Sequence, residues 1–353
     1  MLKTRVNSLL GAHYAIIQGG MLWLATAELA GAVSNAGGLG VVSPLAGMEK
    51  KGDPTINLTH HIIKIKDLTR RPFGVNIPLD LPYAGALIDL TIRHGVDIVI
   101  TSAGNPQRYS GRLKAAGITL LHVVSSVRQA LKAVACGVDA VVAEGVEAAA
   151  HTGIDELPLF ALIPQVVDAV PIPVIAAGGI VDARGVVAAL ALGAEGVQLG
   201  TRFVAVEENE AHLNYKRAIT RAGDTDTVVM GRDTRPTRCL KTEFTETILA
   251  LERAGTNEAA IRDFIGYRTN RDAKLDGDLN AGEAYCGASA GLIKDIVPVQ
   301  KVFDRLVEGY ASILKQLSKK ACPKRNNRRD RMSIETECWQ ALLPSGTDSR
   351  LTR

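Results

Sequence analysis

Apolar residues in this chain fall into short, nearly unbroken runs, separated by longer stretches with helical spacing. The runs are "AIIQ" at 15, "LGVVS" at 39, "PFGVN" at 72, "DIVIT" at 97, "ITLLHVV" at 118, "DAVVAE" at 139, "PVIAA" at 173 and "GVQLG" at 196. They are rich in Val, Ile and Leu and do not alternate with polar residues. Strands read this way when both faces are covered. Between them, helices are predicted over 27–36, 57–68, 83–94, 106–116, 126–136, 157–169 and 182–192. Thr26 stands where the first of these needs its N-cap, with Glu28 in the first turn and Gly37-Gly38 at its end; Asp182 holds the same place before the last. Gly95, Gly117, Gly137 and Gly193 each follow a helix and precede a strand, as helix C-caps do. Eight βα units in a row, with no long reversal, predict an α/β protein built as a (β/α)8 TIM barrel. A doubly wound open sheet is the alternative.

Residues 1–206 therefore predict the barrel core. The polar loop "SPLAGMEKKGDPTI" (43–56) follows the second strand, on the face where the active-site loops of barrels gather. Residues 207–287 show helical patterns and no convincing strand, and are expected to form a small helical insertion over the barrel mouth. Residues 288–319 read as a closing helix. Beyond Lys319 the chain turns basic, "KKACPKRNNRRDR", and 320–353 are expected to be a disordered tail. With no interleaved aromatics and no recognised binding motif, the tail predicts no nucleic-acid partner.

Composition narrows this picture slightly. The 353 residues are 46% hydrophobic and 22% charged, which fits a globular protein, and much of the basic excess behind the net charge of +4 sits in the tail. Lys3 and Arg5 precede a long uncharged stretch ending in Ala25-Thr26-Ala27, which mimics a signal peptide. His13, Gln18, Gly19 and Gly20 interrupt it, so it reads better as a strand and its turn. No other segment approaches a membrane span, so no membrane partner is predicted. The five cysteines (136, 239, 286, 322 and 338) form no C-x-x-C pair and no close Cys/His cluster. No metal site and no disulfide framework follow from them, and a reducing, cytoplasmic setting is expected. The exposed barrel helices leave a homodimer open.

Chemistry enters at the strand ends. The seventh strand ends in "AAGGI" (176–180) and the eighth in "QLGTRF" (198–203), and in a barrel these ends are neighbours. Gly178 and Gly179, with Gly200 and Thr201, would aim backbone N–H groups at one point, the recurring phosphate site of barrels. The first strand ends in "QGGM", which holds Gly20 and Met21, and the third in "GVN", which ends at Asn76. Glycines there let a flat ligand approach the backbone, and Asn76 offers a donor and an acceptor. A ring at the centre and a phosphate at the rim is the shape of flavin mononucleotide (FMN). No G-x-G-x-x-G follows a first strand, so a Rossmann dinucleotide site is unsupported. After the sixth strand, "AEGVEAAAHTG" (143–153) carries Glu144, Glu147 and His151. From position alone His151 is either a proton-transfer group or a hydrogen-bonded structural histidine. His122, inside the fifth strand, reads as a core residue; His13, His60, His61 and His94 read as exposed or packing residues.

The motifs "IIQGGM", "AGAVSNAGGLG", "RPFGVN", "TSAGNP", "AEGVEAAAHTG", "IPVIAAGGI" and "GAEGVQLGTRF", in that order, resemble the nitronate monooxygenase (2-nitropropane dioxygenase) family. The flavin-dependent enoyl-[acyl-carrier-protein] reductases share these motifs. The resemblance covers about residues 1–315 and is strongest up to 205. It implies an FMN-containing barrel with Gly20 and Met21 beside the ring and Asn76 at the ring edge. It also implies flavin contacts from Glu144 and Ala149 on the sixth-strand loop, Gly178 and Gly179 at the phosphate, and Gln198, Gly200 and Thr201 on the last strand. The histidine of the family's GGH-x-G motif maps to His151, which implies a catalytic role. One departure stands out: the two glycines before that histidine are here Ala149 and Ala150. If φ must be positive there, alanine is costly. The resemblance implies a small-molecule substrate, an alkyl nitronate oxidised with O2 to a carbonyl compound and nitrite. The alternative is NADH-dependent reduction of an enoyl-acyl carrier. "EENEAHLNYKRAI" (207–219) resembles the matching segment of those reductases, whereas "VVSPLAG" after the second strand departs from their glycine-rich turn. A flavin-binding protein without turnover is the third reading.

Overall fold

A computed structural model of the chain describes residues 3–48, 52–266 and 269–321. The expected 320–353 tail lies outside the described residues from 322 onward. The chain divides into two units, Met1–Ala311 and Ser312–Arg353. The first holds the barrel and its insertion; the second is described to residue 321, as helix.

The strands of the first unit, in chain order, are β1 (Ile16–Gln18), β2 (Gly40–Val42), β3 (Phe73–Pro78), β4 (Ile98–Ser102), β5 (Thr119–Val124), β6 (Ala140–Glu144), β7 (Ala150–His151), β8 (Val174–Ala177), β9 (Gly196–Leu199), β10 (Thr227–Met230) and β11 (Thr237–Leu240). Eight of them form one parallel sheet in the order β1-β9-β8-β6-β5-β4-β3-β2. A parallel bridge from Ile17 to Leu39 brings its two edges together. The expected barrel forms, and its strands are the eight apolar runs of the sequence.

Helices α1 (Arg5–Leu10), α2 (Ala27–Asn35), α3 (Pro54–Leu68), α4 (Ala84–Arg93), α5 (Gln107–Ala115), α6 (Val127–Ala135), α7 (Leu159–Ala169) and α8 (Ala183–Ala191) complete the units. The unbroken apolar runs split by position. Ile98, Ile100, Ala140, Val142, Ile175 and Ala177 pack inside the barrel, with Val6 and Leu10 of α1 in the same cluster. Val75, Val99, Leu120, Val141, Val174 and Val197 face outward onto Leu58, Ile62, Leu87, Ile88, Leu162 and Val186 of the helices. Two apolar faces per strand are what erased the alternation.

Local rules hold at most helix ends. Asp182 caps α8, accepting from Arg184 N (2.9 Å) and Gly185 N (3.4 Å). Gly95, Gly117, Gly137 and Gly193 all have positive φ. Helix α3 starts earlier than predicted because Asp53 caps it, with Pro54 in its first turn. Thr26 occupies the cap position of α2, but its buried hydroxyl makes no hydrogen bond there.

The insertion holds helices Leu213–Arg221, Glu243–Arg253 and Glu258–Ile265, and it also holds two strands that the sequence reading did not find. β10 and β11 pair antiparallel, and β11 pairs antiparallel with β7, giving a three-stranded sheet. The physical reason for the miss is strand length. Each is only four residues long, the first half of β10 is half-exposed, and only the side of β11 away from β10 pairs with the distant β7, so neither strand shows a run of its own. The closing helix runs Val299–Ala321, and a short 3-10 turn, Ala288–Leu292, precedes it.

The closest approach in the frame is that of α2 to β2, where a methyl group on Gly40 would overlap the Ala30 backbone. Replacing Gly40 with Ala is expected to cost about 3 kcal/mol or more, since backbone and not a side-chain tip must give way. Urea unfolding of the variant, if the midpoint stays within error of the parent, contradicts this packing.

Candidate functional site

The C-terminal ends of the barrel strands, their loops and the insertion enclose a cavity of about 910 Å³. That is at the upper end of the range for sites holding a cofactor or a drug-sized ligand. Every residue singled out from the sequence lines it: Gly20, Met21, Asn76, Glu144, Ala149, His151, Gly178, Gly179, Gln198, Gly200 and Thr201.

Strand parity places several of them. On β6, Ala140 and Val142 are interior, so Glu144 also faces in, at the mouth. On β9, Val197 and Leu199 belong to the outer layer, which turns Gln198 inward. Its Oε1 is buried and makes no hydrogen bond with the protein. Gly20 lies so close to Asn76 that any side chain would overlap that amide. Gly178 (φ 102°) and Gly179 (φ 70°) turn the chain through left-handed backbone, and a methyl on Gly178 would stand 3.0 Å from Ala148 N. A methyl on Gly200 would meet nothing within 4 Å. Thr201 Oγ1 accepts from Gly287 N (3.0 Å). Since the α8 N-terminus is already capped by Asp182, a phosphate here would depend on the glycine turns themselves.

His151 is not on a barrel strand. It sits on β7, opposite Thr237 of β11, and its Nδ1 lies 2.8 Å from Thr237 Oγ1. That hydroxyl donates its single hydrogen to the Arg235 carbonyl (2.9 Å), so Nδ1–H must donate to Oγ1 and the lone pair falls on Nε2. Burial, reinforced by the nearby charges of Arg235 and Lys274, pulls His151 down to about 3, so the imidazole is neutral across the physiological range. Burial drives Glu144 the other way, up to about 7. Glu147 is engaged by the backbone instead, both its oxygens accepting from Leu159 N at the start of α7 (2.9 and 3.0 Å). His122, read as core from the sequence, is buried and also lines the cavity; its Nδ1 lies 2.8 Å from Thr101 Oγ1, and burial lowers it to about 4.

Ala150 has φ +65°, so the family's glycine is replaced at a left-handed position. Ala149 has no such constraint. Three further ties fasten this loop to the insertion: the ladder of β7 with β11, Thr152 N to Pro236 O (3.0 Å), and Arg238 Nε to Val146 O (3.0 Å).

Sequence reasoning missed the far wall. Trp23 Nε1 donates to Asn270 Oδ1 (2.6 Å), Asn270 Nδ2 to the Tyr285 hydroxyl (3.1 Å), and that hydroxyl to Glu283 (3.0 Å). The Tyr285 ring meets His151 edge-on, with centroids 5.7 Å apart, and carries Lys274 Nζ on its face at 3.6 Å. Burial pulls Lys274 down to about 7 against the opposing pull of Glu283, whose own carboxyl burial raises. No local pattern announces these residues; they converge only because the insertion folds back over the mouth.

A parallel eight-stranded barrel with this cavity at the C-terminal ends of its strands and an oriented histidine at the mouth has the layout of a barrel enzyme. The sequence profile of the nitronate monooxygenase family matches residues 3–309, and the chain belongs to that family of oxidoreductases. One relative, the (3aS,4S,5R,7aS)-5-hydroxy-7a-methyl-1-oxo-octahydro-1H-indene-4-carboxyl-CoA dehydrogenase of Mycobacterium tuberculosis, is 34% identical over 347 residues, covering 87% of this chain and 95% of that protein. A probable nitronate monooxygenase of Staphylococcus saprophyticus is 38% identical over 289 residues, covering 69% of this chain and 80% of its own length. The structure of FabK from Thermotoga maritima superposes with a TM-score of 0.85 at 40% identity, covering 91% of this chain and all (100%) of that one. Among the described residues no helix is long and apolar enough to cross a membrane.

Two outcomes follow. Ala150→Gly is expected to raise stability by about 0.5–1 kcal/mol, because relief of the left-handed alanine exceeds the entropy glycine adds to the unfolded chain; Ala149→Gly should lower it, and denaturant midpoints compare the two. Glu144 binds its proton more tightly when folded, so its contribution to stability falls as pH rises from about 4.5 to 7. Glu144→Gln should therefore stabilise the flavin-free protein at pH 8 and lose that advantage near pH 4.5, in unfolding curves taken at both.

Proposed function

We propose that this protein is an FMN-dependent oxidoreductase that oxidises alkyl nitronates with O2 to a carbonyl compound and nitrite. The observation that carries this reading is His151. It presents a neutral imidazole with its lone pair on Nε2, in a cavity whose wall also carries Lys274 and the Arg235–Asp80 pair (3.1 Å). A nitronate anion meets positive charge there, and a neutral nitroalkane meets a base for its α-proton.

The cavity also fits the cofactor. The unpartnered Gln198 Oε1 suits a ring N–H, and the side-chain-free turn at Gly178-Gly179, with open space at Gly200, suits a phosphate. Gly20 and Met21 would lie beside the ring, Asn76 at its edge, Glu144 and Ala149 on the sixth-strand loop, and Thr201 with the last-strand contacts. When bound, FMN supplies the electron transfer between substrate and O2. The protein's share is to hold the substrate's α-carbon toward Nε2, to keep the His151 tautomer through Thr237, and to shield the reaction from water.

A second reading draws on the likeness to FabK and on the segment "EENEAHLNYKRAI" (207–219), which resembles that of the enoyl-[acyl-carrier-protein] reductases. In it NADH is the reductant and an enoyl thioester the acceptor. Anaerobic addition of ethylnitronate or NADH to the purified yellow protein separates the two. Bleaching by nitronate alone, with nitrite appearing once air is admitted, is expected. Fast bleaching by NADH moves the reading to thioester reduction. His151→Ala should lose about 100-fold in kcat/KM with neutral nitroethane and much less with preformed ethylnitronate, since only the first needs a base.

A further inference from the structure

We propose that Lys274 is a second substrate-contacting residue, whose ammonium receives the negative oxygens of the bound substrate beside the His151 imidazole. It would make the enzyme selective for molecules that end in a compact, delocalised anion. That the oxygens are those of a nitronate rests on the function proposed above; the anion site itself does not.

Four observations converge on this residue. Lys274 is 2% exposed, and the surface it retains is cavity wall. Its Nζ is held over the Tyr285 ring, and that ring cannot swing away, because its hydroxyl is bound by both Asn270 and Glu283. The same ring borders His151, so base and cation flank one point of the cavity. Finally, Lys274 lies in the single π-helical turn among the described residues, Asp272–Asp276, a geometry that tends to mark functional sites. That turn is anchored from outside by His212 N donating to the Lys274 carbonyl (2.8 Å).

The energetics point the same way. Among the described residues no carboxylate forms an ion pair with Nζ; Glu283, the nearest acidic influence, spends its hydrogen bond on Tyr285. Burial pulls Lys274 down to about 7 even with the partial counter-charge of Glu283 nearby, so its ammonium form is short of counter-charge until an anion enters and holds it protonated. A residue kept purely for packing would be better served by methionine, which has the same reach and no charge to desolvate. The missing partner is supplied when an anion enters the cavity. Arg235 lies on the cavity wall as well but is paired with Asp80 (3.1 Å), which leaves Lys274 as the cation beside the neutral His151 imidazole to receive an arriving anion.

Propionate tests this, because it has the shape and charge of ethylnitronate and cannot be oxidised in its place. Its binding to the purified holoprotein is measured by calorimetry for the parent, Lys274→Met and Lys274→Arg. The expected result is a Kd at least about tenfold weaker for Lys274→Met and within about threefold of the parent for Lys274→Arg, with KM for ethylnitronate raised more than kcat is lowered. Thermal unfolding of Lys274→Met should be no lower than the parent; if that variant does not fold, Lys274→Gln carries the same binding expectation. Unchanged propionate affinity in the folded variants overturns the assignment, as does a parent protein that binds no propionate at about 100 mM. If the parent oxidises no nitronate but Lys274→Met still loses propionate affinity, the anion site stands and the nitronate reading falls.

Discussion

The site depends on a two-residue pairing. Ala150 and His151 form a strand only because Thr237 and Arg238 of the insertion lie alongside them. The barrel delivers β6 to the mouth and stops at Glu144; everything that orients the histidine afterward comes from the insertion. The ladder fixes its position, Thr237 fixes its tautomer, and Arg235 and Lys274 help keep it uncharged. Barrel and insertion are therefore not scaffold and ornament. Each supplies one wall of the same reaction chamber.

The barrel was legible in the sequence because its signals are local and repeated. Eight β-branched runs, seven helical intervals and a glycine after helix after helix all carry their meaning within a few residues. Strand parity could not be read: with both faces buried, inward and outward positions are equally apolar. Polar exceptions such as Asn76, Ser102, Glu144 and Gln198 mark the interior face, and they do so because they sit toward strand ends that open into the cavity. The strands of the insertion were invisible for the opposite reason. β10 and β11 are only four residues each and pair with one another across a short turn, and the third strand of their sheet, β7, lies about 85 residues earlier in the chain, so each run is too short to set a period.

The candidate site divides along the same line. Glycine turns and the histidine loop announce themselves as motifs, and all of those residues reach one cavity. Lys274, Tyr285, Glu283 and Asn270 do not, since a lysine in "DAKLDGD" looks like any solvated helix residue until the fold buries it. The alanine at 150 shows what sequence alone leaves open. Its departure from glycine was plain, but whether it mattered turned on a φ angle that only the folded chain specifies.

Helix α1 gives the barrel a further property. Val6 and Leu10 pack into the barrel's interior cluster, closing the end away from the site. The cavity lies at the opposite end, among the strand C-termini and beneath the insertion. A ligand seated against the strand ends would therefore lie beneath anything that entered after it, walled in on the far side by the packed interior of the barrel.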